Sequence, residues 1–123
     1  MAACRLNGKA GTLHLTIEQG ATFDPVLTWG DENGLPIDLT GYSARMQIRE
    51  TVDAVAALPD ATTVNGQIIL GGAAGTVTFA IPATITAAFT FEEAVYDLEV
   101  ESAGGHVTRL VEGSVYLSPE VTR

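Results

Sequence analysis

At intervals of roughly 8–12 residues the chain is cut by glycine, proline or asparagine, and most runs between the cuts alternate apolar with polar side chains. This rhythm constrains the fold more than any other feature. A period of two makes a strand with one wet and one buried face, whereas a helix needs a period of 3.6. In residues 12–18, Leu13, Leu15 and Ile17 alternate with His14, Thr16 and Glu18. In residues 42–50, Tyr42, Ala44, Met46 and Ile48 face one way, and Ser43, Arg45, Gln47 and Arg49 the other. Runs at 21–29, 66–71, 75–82, 94–102 and 106–118 complete about seven strands. That count and spacing predict an all-β, antiparallel β-sandwich or barrel.

The punctuation supports the same reading. Pro25 lacks a hydrogen-bond donor, so its strand belongs at a sheet edge or a bulge. Asn33 and Gly34 are a strong hairpin signal inside the turn-rich stretch 30–41. GGAAG (71–75) reads as a hairpin turn, and Gly104 and Gly105 join the last two strands. Residues 51–62 are rich in alanine but cut by Pro59, and 82–91 open on Pro82, so each is expected to give at most a short helical turn. Residues 1–11 show no periodicity and read as an N-terminal arm, leaving 12–123 as a single domain. The expected core is Leu15, Ile17, Trp29, Met46, Ile48, Val77, Phe79, Tyr96, Leu98, Val100 and Val115.

Composition bounds the function. With 123 residues, 46% of them hydrophobic, the chain has enough apolar surface to bury a core. Its formal charge of −9, from 15 acidic residues against 6 Lys and Arg, opposes binding to nucleic acid or to an anionic membrane surface. Only 17% of residues are charged, so much of the surface is Thr, Ser, Ala and Gly, a texture that suits packing against other protein copies. A single cysteine, Cys4, excludes a disulfide framework within the chain. The opening residues hold no apolar run resembling an export signal, which points to synthesis in the cytoplasm.

One stretch invites a chemical reading. Asp97, Glu99 and Glu101 alternate with Tyr96, Leu98 and Val100, which places the three carboxylates on one strand face, ~6.6–6.8 Å between neighbours. Inverting glycosidases use a carboxyl pair at such a distance. They also need one carboxyl in an apolar pocket, and an evenly exposed row supplies none. The row therefore reads as a solvated strand face. Arg109 on the next strand is expected to lean over it if a bulge near Glu112 and Gly113 turns that side chain outward. His14 and His106 lie on separate elements without acidic residues at ligand spacing. DENG (31–34) lacks the longer pattern of a calcium loop. Phe23, Trp29 and Tyr42 offer a sugar-stacking platform only if exposed together, and core packing is the simpler expectation. No catalytic, metal or cofactor residue is assigned.

Residues 15–50, LTIEQGATFDPVLTWGDENGLPIDLTGYSARMQIRE, and 94–123, AVYDLEVESAGGHVTRLVEGSVYLSPEVTR, carry a family resemblance. An Ile-x-Gln-Gly opening, a Trp-bearing strand, a G-x-P-x-D-L-T-G turn, ARMQIR, a Tyr-Asp-Leu strand, TRLVEG and a closing SPEVTR resemble a group of small tailed-bacteriophage proteins. The likeness covers most of the chain from Leu13 to Arg123 and is weakest in the alanine-rich middle. In pattern the chain is also similar to the immunoglobulin-like N-terminal domain of phage baseplate upper proteins. The resemblance implies an immunoglobulin-like sandwich and a non-enzymatic structural role in a virion, in the tail, baseplate or fibre-attachment region. The partners it implies are other virion proteins and further copies of the chain; separately, residues 1–11 hold too little apolar surface to pack as a strand on their own domain, so the arm is expected to reach a neighbouring subunit. A capsid decoration protein and a carbohydrate-binding module for the host surface are the alternatives.

Overall fold

The computed structural model describes residues 5–6, 9–31, 33–54 and 60–122. All seven expected strands are present: β3 (Leu15–Glu18), β4 (Val26–Thr28), β5 (Ser43–Arg49), β7 (Ile68–Leu70), β8 (Thr76–Phe79), β9 (Glu93–Glu101) and β10 (Val107–Ser118). Three short strands join them: β1 (Arg5–Leu6), β2 (Lys9–Thr12) and β6 (Asp60–Thr62). They form an immunoglobulin-like sandwich. Its larger sheet runs β1-β2-β10-β9-β5-β6 with β3 also beside β10, and its smaller sheet runs β4-β8-β7. Inward side chains of both sheets, among them Ile17, Met46, Ile48, Leu98 and Leu110 from one and Ile68, Val77 and Phe79 from the other, make one buried cluster.

The alternation read in the sequence is the burial pattern found. Along β5, Ala44, Met46 and Ile48 are buried and their neighbours are not. Along β9, Ala94, Tyr96, Leu98 and Val100 are buried between partly or fully exposed residues. Pro25 stands where the pairing of β4 with β8 thins. Its carbonyl accepts the Phe79 N–H at 3.0 Å, but it has no N–H to return. The hairpin signal at Asn33 and Gly34 marks a turn closed by the Gly34 N–H on the Asp31 carbonyl, and the Asp31 carboxylate accepts the N–H groups of Asn33 and Leu35. Residues 71–75 hold a single 3-10 turn, Gly72–Ala74, and α1 (Ala83–Thr86) follows Pro82 as one helical turn. Residues 51–54 make a turn through the Ala54 N–H and the Thr51 carbonyl, while the remainder of the helix expected before Pro59 lies outside the described residues.

Four expectations are corrected. The sheet is mixed rather than antiparallel, because β2 and β3 both run parallel to β10, with Leu15 beside Val115 and Gly11 beside Val111. The arm boundary after residue 11 falls inside a strand. Lys9–Thr12 joins β10, and Arg5–Leu6 folds back on it, because main-chain hydrogen bonding needs no apolar periodicity. Trp29 is half-buried rather than in the core, at the sandwich end where the hairpin turn begins. The bulge on β10 lies between Arg109 and Val111, not near Gly113: Arg109 pairs with Glu99 and Val111 with Leu98, and the inserted Leu110 is buried.

Candidate functional site

The bulge decides what Arg109 does. By inserting Leu110 it keeps Arg109 on the outward face beside Glu99, then brings Glu112 to that face opposite Asp97. On the other side of β9, Arg45 pairs with Glu99, and Gln47 with Asp97. Two rows of polar side chains thus cross three strands. The segment after β5 rises over them, and Arg49 fixes it by donating from Nη1 to the Ala54 carbonyl (2.7 Å) and from Nη2 to Gln47 Oε1 (2.8 Å). The result is a groove of about 690 Å³ lined by Arg45, Gln47, Val52, Asp97, Glu99 and Arg109, among others.

Within it the charges are matched. Arg45 donates from Nε to Glu99 Oε1 at 3.0 Å, and its Nη2 lies 2.9 Å from the same oxygen. Arg109 bridges Glu112 (Nη1 to Oε1, 3.2 Å) and Asp97 (Nε to Oδ2, 3.5 Å). The carboxylate row is therefore not the evenly solvated face that alternation suggested. Glu101 is exposed, but the Glu99 side chain is only 23% exposed and Asp97 is half-buried. Burial raises the Asp97 carboxyl above its ordinary range. Glu99 and Glu112 push the same way, and Arg109 and Arg45 pull against it. A raised carboxyl beside an ionised one is the electrostatic outline of an acid–base pair. Here, however, Glu99, Asp97 and Glu112 are each engaged by a guanidinium of the same sheet. The arrangement ties β5, β9 and β10 side by side.

The remaining sequence candidates are dispersed. His14 Nδ1 accepts the Ser114 N–H at 3.1 Å, beside the β2–β3 junction. His106 sits at the β9–β10 turn, its own N–H donating to Ser102 Oγ. The strand between these points spans eight residues, about 27 Å. Among the described residues no three His, Cys, Asp or Glu side chains gather as a metal site; Cys4 lies outside them. Phe23 stacks on the buried Phe79 (5.8 Å, 20°), while Trp29 and Tyr42 meet edge to face (6.5 Å, 80°), so the three rings do not share one flat platform.

Sequence reasoning missed a polar junction between the chain's two ends. Gln19 donates through Nε2 to the Phe89 carbonyl (3.0 Å) and accepts the Glu120 N–H on Oε1 (2.9 Å). Beside it, the fully buried Thr86 hydroxyl accepts the Gly20 N–H (3.1 Å) and donates to the Ala21 carbonyl (2.8 Å). The signal was the Gln-Gly pair itself, which places a long amide next to a residue free to take φ of 84°.

No protein-family model and no curated protein matches the chain. Among solved structures it is similar to CopC from Methylosinus trichosporium OB3b, with 11% identity, a TM-score of 0.48 and coverage of 89% of this chain and 88% of that one. It is also similar to the Drosophila OTK extracellular domains 3–5, with 14% identity, a TM-score of 0.34 and coverage of 94% of this chain and 34% of that one. At such identities neither likeness carries a role to this chain.

Proposed function

We propose that the chain is a non-enzymatic structural component of a tailed-phage virion, a rigid sandwich module of the tail, baseplate or fibre-attachment region. The reading rests on the sequence resemblance, and one observation carries it: the residues that make the resemblance are scaffold residues in this fold. Ile17 of the Ile-x-Gln-Gly opening is buried, and Gln19 and Gly20 bind the Phe89 carbonyl and the Thr86 hydroxyl. In the D-L-T-G turn, Asp38 Oδ1 accepts the Thr40 N–H at 2.9 Å and its hydroxyl at 2.6 Å, and these bonds hold the Asp38 carboxyl below its ordinary range. The closing SPEVTR is tied to the opening through Gln19 and Glu120. The guanidinium–carboxylate rows serve the same end.

Quantifying the chain in purified virions, with an antibody fragment to locate it, tests the reading. A few to a dozen copies at the tail, as a closed ring would hold, are expected. Hundreds of copies over the shell would replace this reading with that of a decoration protein, and absence from the particle would overturn both.

A further inference from the structure

The groove on the larger sheet is short of counter-charge at its floor. Glu99, Asp97 and Glu112 stand there against two guanidiniums directed at them, Arg45 and Arg109. Arg49, the third cation of the lining, turns instead to the Ala54 carbonyl and Gln47 Oε1. Arg45 gives both Nε and Nη2 to Glu99, while Arg109 is divided between Glu112 and Asp97. Asp97 takes the weaker share. Its Oδ2 lies 3.5 Å from Arg109 Nε, too far for a good hydrogen bond, and among the described residues no N–H or O–H donates to either of its oxygens. The side chain is 41% exposed, so this carboxylate is open to solvent. Apolar side chains stand beside it. Val95 lies two residues back on the same strand face, half-buried, and Val52 on the overhanging segment is 81% exposed.

We propose that the groove seats a lysine or arginine side chain of a partner protein, its aliphatic stem along Val52 and Val95 and its cation on Asp97. The chemistry selects the occupant. Lysine and arginine lay their stems on apolar surface while the charged head meets a polar group, which is the order of groups found from the rim to the floor. An anion would have to draw Arg45 and Arg109 off the carboxylates they already hold. A wholly apolar side chain would cover Asp97 without offering it a donor. The groove, of about 690 Å³, lies within the ~300–1,000 Å³ of ligand sites, so residues flanking the cation find room as well. At longer range the −9 charge of the chain draws a basic surface toward it. Burial, with Glu99 and Glu112, holds the Asp97 carboxyl above its ordinary range, and a docked cation would bring it down. The inference rests on the groove alone and stands apart from the virion reading.

NMR titration of the chain with acetyl-Gly-Lys-Gly amide and with its arginine counterpart, up to tens of millimolar, tests it. The norleucine tripeptide, which keeps the stem without the charge, serves as the control. Amide shifts centred on Val52, Val95, Asp97 and Glu112 are expected with both cations, together with a fall in the Asp97 carboxyl pKa read from its side-chain carbon. Norleucine should bind at least roughly tenfold more weakly. Asp97→Asn should weaken the cationic probes by roughly tenfold, and Val52→Ser by less. Glu101→Gln, which removes an exposed acid outside the groove, should leave binding unchanged. No shift at tens of millimolar overturns the proposal. So does norleucine binding as well as lysine, binding that survives Asp97→Asn, or an equal loss in Glu101→Gln. Shifts that spread over Glu50, Glu92 and Glu93 would overturn it too, since they would mark attraction to net charge alone.

Discussion

Phe79 has no exposed surface and stacks on Phe23, so its truncation leaves a void walled by both sheets. Phe79→Ala is expected to destabilise the fold by ~3–5 kcal/mol, read as a fall in the urea midpoint at unchanged slope. Such positions were legible because alternation reports burial directly; of the expected core only Trp29, at a strand end, stands partly in solvent. Asp97 was legible by face but not by environment, since nothing in its own strand records the bulge that brings Glu112 opposite it. Its effect on stability has a definite sign. Burial raises the folded-state pKa, while the unfolded chain ionises at about 3.9. The contribution of Asp97 is thus fully present below about pH 4 and is lost as pH rises through the raised value. Asp97→Asn, which keeps the uncharged shape, should match the parent chain in acid and exceed its stability at neutral pH. A variant weaker than the parent at neutral pH would show that the Arg109 pair outweighs burial.

At the scale of elements, the strands could be read from sequence but their partners could not. Alternation fixes which face a strand buries and leaves open the direction of its neighbour, so the parallel seats of β2 and β3 on β10 were invisible. The bulge had a signal that points elsewhere than the glycine: Leu110 and Val111 are consecutive, apolar and both buried. Gly113 has a different task. A Cβ there would collide with the Leu13 carbonyl oxygen, where β2 passes into β3. Gly113→Ala should therefore cost ~1–3 kcal/mol, because the obstacle is backbone. It should also speed hydrogen exchange at the Leu13 N–H, which bonds the Glu112 carbonyl, and at the Ser114 N–H, which bonds His14. Unchanged exchange at both sites would place the strain elsewhere.

For the whole molecule, the first strand of the sandwich proper completes the sheet beside the last. Leu15–Glu18 pairs with Val115–Ser118, and Tyr96 reinforces the seam by donating its hydroxyl to the Leu13 carbonyl at 2.6 Å. The buried cluster begins at Leu15, so deleting residues 1–11 should keep the cooperative transition and its slope while baring the edge of β10 at Val111 and Glu112. Loss of the transition would make the arm part of the folding unit. The parallel seam also decides how the molecule bears load. Because β3 and β10 point the same way, tension applied to the two ends drags them past each other lengthwise, and their cross-strand bonds are strained together rather than one after another. Handles at Glu93 and Tyr116, paired residues of the antiparallel β9 and β10, would instead open their bonds in sequence. In an optical trap, rupture from the ends should need the greater force, which would make this small sandwich a stiff link in whatever chain of tension it joins.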